Sequence, residues 1–476
     1  MRLFNRFALL ASVALITLPA AAHAQTAANL ATLRGLAPFD QLLTTPAGKA
    51  ALKANYAVTA AIQSGGAHQP LLLAFPAQQA QALSDAFEGA GNGAQLADGL
   101  GSTLGGAYQA LATYSSTDDG ATSSFTSAAA SAAPVFAYTM AVTRTDAGVA
   151  KSFFANGTTD GSAMSSPAAF PLLMGGTISV FDQAYPHPQA AGKAACPVKK
   201  DPAGDSRPLQ TLKTLATFTA TDYFGVKHSS LDYLCGPTDD EQKSPSFPSG
   251  HTTVAYTAGM LLALLVPQRY SQEVVSAAEY ANDRIVLGAH YPMDIIAGRT
   301  LTLYDLAHLL ANDPAYVGLS FPVKDGAAPV PSIADFPAAL AAAKADVQAA
   351  LAAKTGMDVA TAASHDTSRF ASPAKDAAFY EATLTYGLPV VYPAQAGKAE
   401  DVLTLAPEAG YLLTAAFHGL SLQQADAILT ATEAPGGGFL DNGSAFGVYS
   451  RLDLYKASLQ AQALLANEAK ARAAHK

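Results

Sequence analysis

Between Thr252 and Leu310 the spacing of apolar positions predicts three helices in succession. The first should begin near Thr252 and run to about Leu265, where Pro267 ends it. The second starts at Ser271, with Glu273 in its first turn, and runs toward Leu287, with Gly288 as the break. The third carries Pro292 in its first turn and passes through Ile296 to about Leu310. Upstream, Gln79 to Phe87, Ala94 to Tyr114 and Leu209 to Ala220 also read as helical. Residues 116–135 are rich in Ser, Thr and Ala without periodicity, and Tyr223 to Phe247 is rich in Gly, Pro, Asp and Ser; both read as loops. Residues 136–190 are mixed and give no firm element.

After Asp313 the pattern changes. Residues 314–335, rich in Pro, Gly and Val, read as a linker between a helical domain at 25–313 and a C-terminal accessory region at 336–476. That region opens with an Ala-rich helix, Phe336 to Lys354. Ser421 to Gln424 forms a capping box before Ala425 to Thr432. Pro435-Gly436-Gly437-Gly438 reads as a turn, because no lysine follows as a phosphate-binding loop of the P-loop kind requires. The expected fold is mainly α, a helical bundle holding its chemistry at helix ends and adjoining loops.

Composition narrows the classes. The 476 residues suffice for two or three domains, and half are hydrophobic. Residues 1–24 read as a signal peptide: Arg2 and Arg6, an apolar run from Phe7 to Leu18, and Ala22-His23-Ala24 before Gln25. A bacterial export signal of this kind predicts a periplasmic protein. Its removal takes away two arginines and no acid, so the formal charge falls from −9 to −11. An acidic chain without basic clusters is a poor nucleic-acid binder. The next most apolar stretch, Val254 to Val266, is too short to span a bilayer and reads as a core helix, so no integral membrane segment is expected in the mature chain. Cys196 and Cys235 are the two cysteines. In an exported protein an even count predicts a disulfide, worth about 4 kcal/mol on the chain-entropy model.

Three short blocks carry the chemistry. Lys200 is followed after six residues by Arg207-Pro208; Pro248-Ser249-Gly250-His251 comes about forty residues later; Arg284 then precedes His290 by six residues and Asp294 by ten. This set suits phosphoryl transfer without a metal. Cations hold a phosphate, a histidine attacks it, a second handles the leaving group's proton, and a carboxylate orients the attacker. The His, Asp and Cys residues do not show zinc spacing, so no metal and no cofactor is expected.

The ordered blocks resemble the signature of the type 2 phosphatidic acid phosphatase superfamily, which includes bacterial class A non-specific acid phosphatases, lipid phosphatases and vanadium haloperoxidases. Asp283-Arg284-Ile285-Val286-Leu287-Gly288-Ala289-His290 is most similar to the class A third motif, and Ala297-Gly298-Arg299 also resembles it. One departure is Asp283, where the family usually has serine; a carboxylate there would compete with phosphate or tune substrate choice. The resemblance covers about residues 195–310 and implies a helical bundle of the acid phosphatase and vanadium haloperoxidase type. It assigns His290 as nucleophile and His251 as acid–base. Asp294, one helical turn on, would accept the imidazole's other N–H. Lys200, Arg207 and Arg284 would bind phosphoryl oxygens, with Ser249 and the Gly250 amide at a helix N-terminus. The implied activity is hydrolysis of small phosphomonoesters with an acidic optimum. Vanadium-dependent halide oxidation, hydrolysis of a lipid phosphate or diphosphate, and a catalytically dead phosphate-binding scaffold are the alternatives. His187, His228 and His308 read as ordinary surface or core residues, with His228 near enough to the second block to touch substrate. The spacing says nothing of oligomeric state.

Overall fold

The computed structural model describes residues 26–66, 70–86, 96–113, 124–125, 129–155, 180–186, 205–223, 225–235, 241, 244–321 and 329–475. The export signal, Lys200, Cys196 and His187 lie outside them. The fold is mainly α, as the sequence predicts. Its N-terminal helices are α1 (Ala27–Leu36), α2 (Pro46–Ser64), α3 (Phe75–Ser84), α4 (Gly101–Leu111), α5 (Ala132–Ala155), α6 (Val180–Ala184), α7 (Pro208–Thr211) and α8 (Ser230–Cys235). The central helices are α9 (Gly250–Leu265), α10 (Tyr270–Leu287) and α11 (Pro292–Leu310). The C-terminal region adds α12 (Phe336–Thr355), α13 (Val359–Ser364), α14 (Pro373–Thr385), α15 (Val402–Leu405), α16 (Tyr411–Thr414), α17 (Leu422–Thr432), α18 (Ala445–Val448) and α19 (Leu454–Ala474). Short 3-10 turns join several of these helices, and two antiparallel ladders are described: β1 (Ala112–Thr113) with β2 (Ser124–Phe125), and β3 (Thr219–Thr221) with β4 (Lys227–Ser229).

The central helices form as their sequence predicts. In α9 only Gly250, His251 and Val254 escape full burial, as expected of a helix apolar on all sides. Ser249 caps it by accepting the Thr252 N–H at 3.1 Å. Gly288 ends α10 in the left-handed region, φ 85°, where a side chain would be strained and would also strike Leu215. Helix α11 starts at Pro292, and its third residue, Asp294, accepts the Tyr291 N–H at 2.9 Å. At Gly298 a Cβ would lie 2.6 Å from the Ser249 carbonyl, so the missing side chain lets α11 approach the start of α9. No single described helix is long and apolar enough to cross a membrane.

Several boundaries differ from expectation. The stretch Leu209 to Ala220 is helical only through Thr211; the chain then extends into β3. Thr217, Thr219 and Thr221 alternate there, and β-branched residues favour the hairpin with Lys227–Ser229 over a helix. The expected loop from Tyr223 to Phe247 therefore contains β4 and α8. Helix α3 begins at Phe75 and ends at Ser84, where Gln79 to Phe87 was expected. Gly101, φ 93°, divides the expected helix Ala94 to Tyr114 into a short 3-10 turn and α4. Helix α5 claims the last residues of the loop expected at 116–135.

The C-terminal region shares the core. Arg299 of α11 is fully buried and donates to the carbonyls of Thr383, Leu384 and Ser450 at 3.0–3.1 Å. Phe247 stacks on Phe39 at 3.8 Å and meets Phe154 and Phe439 edge-on, so an aromatic cluster from four parts of the chain anchors the Pro248–His251 segment.

Candidate active site

Arg207, His251, Arg284, His290 and Asp294, predicted from three separate blocks, converge at the N-terminal ends of α9 and α11 and the C-terminal end of α10. His290 precedes α11 and is fully buried. Its Nδ1 lies 3.1 Å from Asp294 Oδ2, which also accepts from the Tyr291 N–H and the Ser246 hydroxyl. With Nδ1–H donated to the carboxylate, the bare nitrogen is Nε2. Nε2 faces Arg207 Nη1 at 3.0 Å and His251 Nδ1 at 3.1 Å. Burial, then Arg207, Lys151, His251 and Arg284, hold His290 well below the usual histidine range. Its lone pair is therefore available at acidic pH. Burial pushes Asp294 up to about 7, with Ser246, the Tyr291 N–H, Lys151 and Arg207 opposing.

His251 sits in the first turn of α9. Its Nε2 is 3.0 Å from the Tyr233 hydroxyl and 3.3 Å from Glu241 Oε1. Burial lowers it to about 3, Glu241 works the other way, and Arg284, Arg207 and Lys151 add to the lowering.

Backbone carbonyls fix the two arginines. Arg207 donates from Nε to Ser244 O (2.8 Å), from Nη1 to Ala289 O (3.1 Å) and from Nη2 to Pro245 O (3.4 Å), and it pairs with Glu241. Arg284 donates from Nε to Tyr280 O (3.3 Å) and from Nη2 to Ala82 O (3.5 Å). It packs over the rings of Tyr280 at 4.3 Å and Tyr233 at 5.7 Å, and among the described residues its Nη1 has no hydrogen-bond partner. A buried guanidinium nitrogen without a partner is costly unless an anion arrives. Ser249 caps α9 through its hydroxyl, and its N–H donates to Asp294 O at 3.1 Å.

Two residues of the site escaped the sequence reading. Lys151 of α5 donates to Pro245 O and lies 3.5 Å from Ser244 Oγ. Burial and then Arg207 lower it to about 7, while Glu241, Asp294 and Asp205 oppose. Nothing marks it in the sequence; it is a single lysine among Ala147, Ala150 and Phe154 on an otherwise apolar helix face. Glu241 sits in an Asp-Asp-Glu-Gln-Lys run that reads as solvated polar loop, yet its side chain is 3% exposed.

Asp283 makes no hydrogen bond to Arg284, although its charge and that of Asp85 act on the guanidinium. It accepts from Gln78 Nε2 at 2.8 Å, on the side of α10 that also holds Glu279. His228 is tied to Asp222 across the β3–β4 hairpin at 2.9 Å, and His308 to Asp313 at 2.8 Å, so both have structural partners.

Glu241, His251 and His290 turn ligand atoms toward one point, all within 4.8 Å of one another, which by itself fits a metal. Arg207 lies 3.0 Å from His290 Nε2, and Lys151 and Arg284 add positive charge. Such a field favours an oxyanion over a cation.

Comparison with known proteins agrees with the motif reading. Residues 198–311 match the PAP2 superfamily. An acid phosphatase of Zymomonas mobilis subsp. mobilis is 33% identical over 78 residues, 16% of this chain and 30% of that protein. A non-specific acid phosphatase of Salmonella typhi is 31% identical over 77 residues, 16% of this chain and 31% of its own length. One from Providencia stuartii is 24% identical over 149 residues, 30% of this chain and 57% of that protein. The chain thus spans about a third of the length of the first of these relatives. No solved structure matches the chain.

Proposed function

From a chain whose residues 198–311 carry a PAP2 superfamily segment, we propose an exported, metal-independent acid phosphatase that hydrolyses small phosphomonoesters through a phosphohistidine at His290. The observation that carries this reading is His290 itself: Nδ1 on Asp294, and a bare Nε2 facing Arg207 and His251. The curated relatives named acid phosphatase support the same class. In the reaction, the Nε2 lone pair attacks phosphorus and the P–O bond to the leaving group breaks. The bound phosphate dianion raises the pKa of His251, which takes up a proton on binding and delivers it to the departing oxygen. Asp294 stabilises the imidazolium. Arg207 and the unpartnered Nη1 of Arg284, with Lys200 as the expected third cation, hold the non-bridging oxygens as charge redistributes. His251, now neutral, takes a proton from water, which attacks phosphorus, breaks the P–N bond and releases phosphate.

The periplasmic address rests on residues 1–24. The Cys196–Cys235 disulfide belongs to the same reading; no described cysteine is free. The test is hydrolysis of p-nitrophenyl phosphate by the mature protein across pH 4–8 with EDTA present, beside His290→Ala. Chelator-resistant hydrolysis that the variant loses is expected. Silence at every pH would reject the reading and turn attention to vanadate-dependent bromide oxidation, then to lipid phosphates.

A further inference from the structure

Glu241 is a buried acid at the centre of the site that the reaction above does not use. It pairs with Arg207 Nη1, and its Oε1 is 3.3 Å from His251 Nε2. Burial opposes its ionisation, yet Arg207, His251, Lys151 and Arg284 together outweigh burial and hold the carboxyl below its usual range. The charges that keep Glu241 ionised are thus the charges that would hold a substrate's phosphoryl oxygens.

Two features of the geometry agree. Arg207 is committed through Nε and Nη2 to the carbonyls of Ser244 and Pro245 and through one Nη1 proton to that of Ala289, so the other Nη1 proton is the one turned toward the histidines, and Glu241 meets Nη1 there. His251 Nδ1 and His290 Nε2 are 3.1 Å apart. A near-attack geometry alone places phosphorus about 3–3.5 Å from the attacking nitrogen. No phosphoryl group fits between the two rings as they stand; the site has closed on an anion of its own.

We propose that Glu241 is an internal oxyanion, its carboxylate holding the place of a phosphoryl oxygen between Arg207 and His251 until a phosphate displaces it. This inference rests on the phosphatase reading of the site. Displacement weakens binding of every phosphate by the same factor, since apparent affinity falls with the fraction of enzyme competent to bind. The factor is common to every anion that must displace the carboxylate, so it leaves their ranking unchanged but drives the weaker, singly charged ones, carboxylates and diesters, below useful occupancy. It also limits retention of the product, inorganic phosphate.

The experiment uses the mature full-length chain and Glu241→Gln, with inorganic phosphate measured both as an inhibitor of p-nitrophenyl phosphate hydrolysis and directly by calorimetry. In the variant the phosphate inhibition constant should fall about tenfold, with KM falling in parallel. An unchanged or weaker affinity for phosphate overturns the inference. A loss confined to kcat also overturns it, because Glu241 would then act by positioning His251. If neither protein turns over substrate, calorimetry separates the two claims: tighter phosphate binding by the variant keeps the internal anion and sinks the reaction. Should Glu241→Gln melt far below the parent, Glu241→Asp replaces it. Its shorter carboxylate cannot bridge both partners, so it too should bind phosphate more tightly, and equal affinity would reject the proposal.

Discussion

Two buried charged clusters meet on α10 at adjacent residues. Arg284 belongs to the first, with Arg207, Lys151, His251 and His290 set against Asp294 and Glu241. Asp283 belongs to the second, with Glu279, Asp85 and Asp98 set against Arg369, which donates to Glu279 at 2.8 Å and Asp98 at 2.7 Å. One has surplus cations and the other surplus acids. The excess acid can be relieved without help, because a buried carboxyl takes up a proton; burial, then Glu279 and Asp85, hold Asp283 well above the usual range. Lys151, lowered to about 7, can shed its proton, but the arginines cannot, since guanidinium does not deprotonate in proteins. Arg284 is balanced in part by Asp85 and Asp283 and otherwise by an arriving anion. Equal burial on one helix therefore gives a self-sufficient structural cluster on one side and a ligand-seeking one on the other.

The sharpest way to break this contrast is His290→Ala. It should remove the phosphoenzyme and lower kcat by about 10⁴-fold or more; acid-quench labelling that still finds a covalent phosphate would reassign the nucleophile. Next, Arg284→Met should lower kcat about 10²–10³-fold, the usual loss for one transition-state donor, and Lys200→Ala should match it in steady-state assays. The neighbouring change Asp283→Asn should leave kcat/KM within about threefold, or under about 0.7 kcal/mol. A larger fall would mean that the two clusters are not separate.

Acid and base behaviour sharpens the same contrast. Both histidines lie below 6.5 in the free enzyme, so the acid limb of kcat/KM should fall below that value; a limb at 6.5 in a pH–rate profile would contradict their burial. The carboxyls shift the other way, Asp85 and Asp294 to about 7 and Asp205 to about 8, with burial the first cause in each. A raised folded-state pKa contributes stability that is full below the unfolded value and lost as pH rises through the folded one. Between about pH 7.5 and 8.5 the histidines are largely neutral in both states and add little slope. Asp205 and the more strongly raised Asp283, Glu273 and Asp305 outnumber Lys151 and Lys344, which are lowered to about 7 and about 8 and work the other way. Melting temperature should therefore fall across that window, by about 3 °C in a calorimetric scan. Asp283→Asn should flatten the slope.

The sequence was legible where one residue type has one use. Ser249 before α9, Gly288 after α10 and Pro292 opening α11 are local signals, and all three hold. The histidines and arginines were readable because their order and spacing form a pattern. Lys151 and Glu241 were not, since their meaning depends on contacts across 94 and 34 residues of chain, from Lys151 to Pro245 and from Glu241 to Arg207. The segment after Thr211 was misread for a related reason. Its apolar spacing suits a helix, but the pairing with Lys227–Ser229 that turns it into a strand lies beyond any local window.

The carbonyl clamp on Arg299 has a consequence for what can be cut away. The stretch that matches the family model stops at residue 311, yet the guanidinium on its last helix is held through Nη1 and Nη2 by oxygens from residues 383, 384 and 450. Excising the recognisable stretch would strip those oxygens from Arg299 and uncover the apolar face around it on the helix that carries Asp294. The matched stretch is smaller than the set of residues that buries its own last helix, and a minimal catalyst would have to be made by redesigning α11 rather than by trimming the chain.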